Sequence, residues 1–168
     1  MSGVTSSGNG LMDILNAVSE LSQIEVLVGV PHGEARSDGD GMTNAAIGYL
    51  LETGSPAMNL PPRPHLVPGV EEVQDTIAEK LTYAVDAALT GNTKRMYFYL
   101  DAAGHKAMMN VKKFINAGDF APLAPFTLKM RRSRNHKSTK PLVETGAYRN
   151  SHTYVIMKKD KEIKRADS

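Results

Sequence analysis

A proline-rich stretch, SPAMNLPPRPHLVPG at residues 55–69, is the feature that most constrains how this chain can fold. It holds five of the nine prolines of the chain. Proline has no backbone N–H and its ring clashes with the preceding helical turn, so we expect no regular helix here. The stretch therefore predicts an extended loop between two helices.

The sequence before this loop predicts an arm, a helix, a strand and a second helix. Residues 1–10 are rich in Ser, Gly and Asn, which favours a flexible arm. Apolar residues recur at helical spacing over residues 11–21 and alternate over residues 24–30, so a short amphipathic helix precedes a strand. A loop follows, and then a helix from Asn44 to a stop at Gly54.

Two long helices are predicted after the proline-rich loop. The first covers residues 70–90 and is closed by Gly91, and the second covers residues 93–116 with Gly118 as its stop. Gly104 lies inside the second helix and weakens it by about 1 kcal/mol relative to alanine. A break at that position therefore stays open.

The C-terminal part predicts a short basic helix at residues 127–134, a loop at residues 135–140 and a strand at residues 154–157. The segment from Lys158 onward is too charged to join a core. Together these elements predict an α+β fold, in which a small, mostly antiparallel sheet packs with two long helices. The expected organisation is a flexible N-terminal arm at residues 1–10, a single α+β domain at residues 11–157 with a basic C-terminal loop, and a charged tail at residues 158–168.

The residues that usually carry catalysis or bind cofactors are missing or scattered. The chain has no cysteine, which excludes a disulfide, a thiolate nucleophile and a Cys-based zinc site. No nucleophile elbow, phosphate-binding loop or dinucleotide fingerprint is present. Asp38 and Asp40 lie in a Gly-rich loop but do not match a calcium-binding loop, so a plain exposed loop is favoured.

Histidine spacing gives no metal motif either, so we expect isolated surface or hydrogen-bonded side chains at the five histidines, His32, His65, His105, His136 and His152. The sequence thus predicts no catalytic residue, no metal and no cofactor. It also has no apolar run near the roughly 20 residues that cross a bilayer and no secretory signal, so a protein that is neither secreted nor membrane-anchored is expected.

Charge is divided unevenly along the chain. Residues 1–90 hold 3 Lys/Arg against 12 Asp/Glu, a net charge of −9, whereas residues 91–168 hold 17 against 6, a net charge of +11. This division suggests an acidic face and a basic face, suited to nucleic acid or to head-to-tail self-association. An accidental distribution of solvated charge is the plainer alternative. Glu71, Glu72 and Asp75 are the candidate subunit-interface residues.

A basic cluster near the C-terminus is the strongest electrostatic feature, and it comprises Lys129, Arg131, Arg132, Arg134, Lys137 and Lys140. These side chains are candidates for contact with a partner or with DNA phosphates in a sequence-independent way. No DNA- or RNA-reading motif accompanies them, and a solvated loop is the alternative. Six like charges in twelve residues repel one another, so we expect residues 129–140 to be mobile in the free chain.

Three segments resemble, in this order, the neck and tail-completion protein families of tailed bacteriophages. The first is NAAIGYLLETGSPAMNLPPRPHL, a short helix with an aromatic, an acidic residue and a glycine, followed by a Pro-Pro-Arg-Pro element. The second is FINAGDFAPLAPFTLKMRRSR, and the third is KPLVETGAYRNSHTYVI, which resembles the family's Thr-Gly turn into a strand. The sequence departs from the pattern at His65, where a phenylalanine is expected, and at His152, where an aliphatic residue is expected.

The resemblance implies a structural role for nine matched residues, Gly54, Pro61, Pro62, Arg63, Pro64, Thr145, Gly146, Arg149 and Ser151. The prolines restrict the loop to an extended shape before Arg63 meets a partner. Gly54 and Gly146 are expected at backbone angles that other residues avoid. An ordinary rigid loop would explain the same residues without any interface.

The function implied by the resemblance is that of a virion structural protein, a neck or tail-completion subunit. Such subunits form a homo-oligomeric ring, a hexamer or a dodecamer, at the head-tail junction around the DNA channel, next to other connector and tail proteins. The expected localisation is the neck or tail region of the virion, after assembly in the host cytoplasm. A tail terminator or a head-closure protein is the alternative within this class, and a non-specific nucleic-acid-binding module is the alternative outside it.

Overall fold

The structure, a computed structural model, describes residues 10–33 and 41–166. Its elements follow in the order α1 (Gly10–Leu21), β1 (Ile24–Gly29), α2 (Asn44–Thr53), a 3-10 turn (Pro56–Met58), α3 (Leu66–Glu71), α4 (Gln74–Leu89), α5 (Thr93–Ala117), α6 (Pro125–Ser133), α7 (Ala147–Asn150), β2 (Thr153–Lys158) and β3 (Lys161–Arg165). The predicted α+β class is confirmed. The predicted arm, apart from Gly10, and the Asp38–Asp40 loop lie outside the described residues.

The sheet is small and antiparallel, with strand order β1-β2-β3. Helix α5 crosses one face of it and α4 packs along α5. Gly104 allows this close approach, because a Cβ atom there would lie 2.8 Å from Cγ of Tyr154 and 3.0 Å from Cγ1 of Val26. Helix α5 therefore runs unbroken through Gly104, and the glycine serves packing between helix and sheet.

The core has two parts, one at each end of α5. The first contains small residues of α4, which bring that helix close to α5, and its buried members are Ala84, Ala87, Ala88, Met96, Leu100 and Ile156. The second contains Val111, Ile115, Leu142 and Tyr148, against which residues of α2 and α3 pack. The second part supports the region in which the proline-rich loop lies.

The predicted helix over residues 70–90 is wrong in its first turn. The chain forms α3, then α4, and Val73 between them has a non-helical φ of −123° and ψ of 16°. Helix α3 begins inside the proline-rich stretch, because Pro68 occupies its first turn, where the missing N–H costs no helical hydrogen bond. Glu71 therefore ends one helix and does not begin another, while Asp75 does lie in the first turn of α4.

The charged C-terminal segment also differs from expectation. Residues Lys161–Arg165 form β3, which pairs with β2 through register partners such as Met157 with Glu162. The side chains of β3 are mostly exposed, so the strand joins the sheet through its backbone and stays outside the core. Among the described residues, no helix combines the length and apolar character needed to cross a bilayer.

Candidate functional site

A cleft of about 870 Å³ lies in the described part of the chain, beside the proline-rich turn. Its lining comes from three separate stretches of sequence, residues 53–63, 122–131 and 142–148, together with Ile47 and Leu51 of α2. These stretches lie within residues 44–66, 114–134 and 140–156, three segments that are separated in the sequence. Residues far apart in sequence therefore form one surface.

A rigid turn forms the proline-rich wall of the cleft. Gly54 ends α2 with φ of 75° and donates its N–H to the carbonyl of Leu50, as predicted from the sequence. Ser55 and Leu60 then form an isolated antiparallel bridge that closes the 3-10 turn. A side chain at Gly54 would lie 2.8 Å from the nitrogen of Pro62, so only glycine fits between the turn and the prolines.

Arg63 fixes the proline-rich wall to the second stretch. Its side chain is 4% exposed, and its Nε and Nη2 donate to the carbonyl oxygens of Ala121 and Pro122 at 2.8 and 2.9 Å. This corrects the expectation that Arg63 reaches outward to a partner, since most of the guanidinium is used within the chain. Burial, and then the positive charge of Arg131, lower the pKa of Arg63.

Arg131 makes similar hydrogen bonds to backbone carbonyl groups, in the loop that leads to the third stretch. Its Nη1 donates to the carbonyl oxygens of Ser138 and Lys140 at 3.1 and 2.8 Å, which holds the loop after α6. The side chain is buried, so Arg131 is not a surface contact as the basic cluster predicts. Its Nε is buried without a hydrogen-bond partner and lies 3.7 Å from Oε2 of Glu144.

A largely buried polar network, formed by Glu52, His65 and Tyr148, lies next to the cleft. Glu52 accepts hydrogen bonds from the backbone N–H groups of residues 65, 66 and 67, which are the start of α3. Nδ1 of His65 lies 2.8 Å from the carbonyl oxygen of Arg63 and 3.1 Å from Oε2 of Glu52, so Nδ1 is assigned a proton. Nε2 of the same ring lies 2.6 Å from the Tyr148 hydroxyl oxygen. Burial would raise the pKa of Glu52, but the three N–H donors together hold it below its usual range.

His152 completes this network as a second buried histidine. Its ring lies edge-on to those of Tyr148 and His65, with centroid distances of 4.9 and 5.5 Å. Its Nδ1 lies 3.1 Å from the carbonyl of Tyr148. Burial, and then the electrostatic interaction with the neighbouring His65, lower the pKa of His152 to about 4. His65 and His152 are therefore in contact.

A hydroxyl–imidazole pair, Tyr148 with His65, lies at the cleft, which Tyr148 lines. Burial raises the pKa of the Tyr148 hydroxyl above its usual value. Within residues 10–33 and 41–166, no group of three or more acidic or histidine side chains is placed to hold a metal ion. The lining of the cleft combines apolar side chains with the guanidiniums of Arg63 and Arg131 and the carboxylate of Glu144.

The nine residues that were predicted to have a structural role divide into two groups. Six of them line the cleft, and these are Gly54, Pro61, Pro62, Arg63, Thr145 and Gly146. Pro64 is exposed outside it, Ser151 donates to the carbonyl of Tyr148, and Arg149 contacts the side-chain oxygens of Asn116 and Asn150. Gly146 has φ of 83°, as predicted.

The charged residues predicted to contact a partner also divide into exposed residues and residues that are held within the chain. Five residues of the basic cluster are exposed on α6 and the loop after it, namely Lys129, Arg132, Arg134, Lys137 and Lys140. Glu71 and Asp75 are exposed, whereas Glu72 accepts from Nδ2 of Asn110 and lies 3.8 Å from Nζ of Lys113. Glu72 is thus already paired within the chain. The mobility of residues 129–140 stays a prediction.

Comparison of the chain with protein-family models, with curated proteins and with solved structures found no match.

Proposed function

We propose that this chain is a structural subunit of a tailed-phage particle, a neck or tail-completion protein that forms a ring at the head-tail junction. The observation that carries the proposal is the convergence of three family-like segments on one cleft with a preformed, proline-rich wall. A rigid surface loses little conformational entropy when a partner binds, which suits permanent assembly. The exposed acidic and basic side chains offer two unlike surfaces, as head-to-tail closure of a ring requires.

Mass measurement tests this proposal directly. Native mass spectrometry and sedimentation of the purified chain should give a closed oligomer, a hexamer or a dodecamer, in equilibrium with the monomer. Electron microscopy should place the same ring at one position along the tail axis of assembled particles, and particles made without the chain should contain heads and tails that do not join. A chain that stays monomeric at high concentration and is missing from particles would contradict the proposal.

A second candidate function, non-specific binding of nucleic acid, is favoured by the five exposed cations on α6 and its following loop. Fluorescence anisotropy with duplexes of unrelated sequence would detect it. The affinity should fall steeply with salt and should be equal for the two sequences, because phosphate contacts carry no sequence information. Arg132→Gln with Arg134→Gln should reduce the salt slope, whereas Lys80→Gln should leave it unchanged.

A further inference from the structure

Helix α4 carries an apolar strip and an acidic rim side by side on its exposed face. The apolar strip consists of Leu81, Val85 and Leu89, which recur at every fourth residue and are 38%, 42% and 42% exposed. The acidic rim on the adjoining side of the helix consists of the exposed Asp75, Glu79 and Asp86. None of these three carboxylates forms an ion pair with a described residue. The rim therefore keeps a negative charge that the described part of the chain does not neutralise.

Helix α1 borders the other side of the apolar strip. It packs along α4, and Ile14 of α1 lines a shallow depression together with Leu89 of α4. Four apolar side chains of α1 are 47% to 69% exposed, and these are Leu11, Ile14, Leu15 and Val18. The two helices thus form one exposed apolar area with carboxylates along the α4 side, called the α1–α4 surface below. Contiguous exposed apolar area of this kind marks an interaction site.

Helix α6 has the complementary properties. Phe126 and Met130 lie one turn apart on its exposed face, and Phe126 is 73% exposed. Lys129 and Arg132 are exposed on the adjoining side, and their side chains form no hydrogen bond or ion pair with a described residue. Among the helices within residues 10–33 and 41–166, α6 alone combines large exposed apolar side chains one turn apart with two exposed cations. It is a basic amphipathic helix, a type of element that binds apolar surfaces.

Charge decides which surfaces can pair. Two α1–α4 surfaces facing each other would bring carboxylates together, and two α6 helices would bring cations together, so both like pairings are disfavoured. The unlike pairing satisfies charge and apolar contact at once. The lengths also match, since the nine residues of α6 span about 13 Å and the step from Leu81 to Leu89 spans about 12 Å. Both surfaces are exposed in the single chain, so only a second copy can bring them together.

We infer that α6 of one copy packs against the α1–α4 surface of the next copy. Phe126 and Met130 cover the apolar strip. Lys129 and Arg132 face the acidic rim. The inference rests on the proposed ring and names the contact that closes it. Because the two surfaces are different, the contact is head to tail, the type that generates rings.

One exposed substitution on each surface tests the apolar contact. Phe126→Glu and Val85→Asp each place a carboxylate where apolar side chains meet. Each variant alone should associate at least about tenfold more weakly than the wild type in sedimentation experiments, because a charge would be buried against apolar groups. Phe98→Glu is the matched control, since Phe98 is 65% exposed on α5, outside both surfaces, and this variant should associate like the wild type.

An equimolar mixture of the two variants gives the decisive result. The Val85→Asp copy keeps an intact α6 and the Phe126→Glu copy keeps an intact α1–α4 surface, so the mixture should form one-to-one dimers and no rings. Wild-type-like assembly of either variant, or a mixture that stays monomeric while circular dichroism shows both variants folded, would overturn the assignment and leave the ring standing. A monomeric wild type would overturn the ring and this contact together.

Charge reversal tests the acidic rim separately. Glu79→Lys with Asp86→Lys should slow association at low salt at least about tenfold, because the rim would then repel the cations of α6. Adding Lys129→Glu and Arg132→Glu to the same chain should restore most of the rate. Glu25→Lys, which reverses an exposed carboxylate of β1, is the control and should keep the wild-type rate. A fourfold variant that associates no faster than the twofold one would reject the pairing of α6 with this rim.

Discussion

The buried side chain of His152 makes the stability of the chain sensitive to mild acid. His152 is 1% exposed and its pKa in the folded chain is about 4, against 6.5 for an unperturbed histidine. Because the folded pKa is lowered, the unfolded chain binds more protons between these two values. The neutral ring therefore stabilises the fold fully above about pH 6.5, and this contribution is lost as the pH falls towards 4.

The size of the loss follows from the gap between the two pKa values. Each pKa unit corresponds to about 1.4 kcal/mol, so the full gap corresponds to about 3 kcal/mol. About 2 kcal/mol of this should be lost between pH 7 and pH 5. Glu52 does not interfere in that window, because its pKa lies below the usual 4.5 and its own contribution is lost only at lower pH.

Urea unfolding followed by circular dichroism at pH 7, 6 and 5 measures this effect. The wild type should lose about 2 kcal/mol of unfolding free energy across the series, and His152→Leu should lose much less. His105→Leu is the matched control, because His105 is exposed on α5 and its substitution should keep the wild-type slope. Equal slopes for the wild type and His152→Leu would refute the reasoning.

Three further predictions follow from packing and charge. Gly104→Ala should reduce the unfolding free energy by about 1–3 kcal/mol, because the added methyl group would clash with the ring of Tyr154. Gly10→Ala is the control, because a methyl group there has no neighbour within 4 Å, and it should leave the unfolding free energy unchanged. Urea unfolding of the two variants measures the difference. Arg131→Met should speed hydrogen exchange in residues 136–143, whereas the exposed Arg132→Met should not, and equal exchange in both variants would show that Arg131 does not hold this loop. Ring association should slow as the salt concentration rises, because salt screens exposed charges. Replacing Asp75 and Glu71 by lysine should weaken assembly, and reversing Arg132 and Arg134 as well should partly restore it if these groups face each other. Light scattering over a salt series measures the association of the wild type and of each variant.

Local sequence rules predicted the elements that depend on local interactions. Thr43 caps α2 by accepting from the N–H of Ala46 at 3.2 Å, and Gly118 ends α5, both as the residue types predict. The break between α3 and α4 was missed because apolar spacing continues through it. The start of α3 was missed for another reason: its N–H groups donate to Glu52, a residue of another helix, and no local pattern encodes that contact.

Arg131 shows why the candidate site was harder to predict than the fold. In the sequence it stands among six basic residues and cannot be distinguished from them. In the structure it is buried, while its neighbour Arg132 is exposed, because α6 turns one of two adjacent residues inward. The density of basic residues therefore predicted a basic surface. Which of these residues is buried depends on the carbonyl groups that the loop after α6 places near α6, and the sequence pattern does not show this.

His65 and His152 carry the same lesson further. Taken singly, each looks like an independent departure from the family pattern and an argument against the resemblance. Their rings lie 5.5 Å apart, and both contact Tyr148. A histidine at position 65 needs polar neighbours, which the Tyr148 hydroxyl and the Arg63 carbonyl supply, and a second imidazole packs edge-on to it where an aliphatic side chain would pack against a phenylalanine. The two histidines thus share a single packing site, because the fold brings together two segments that are distant in the sequence.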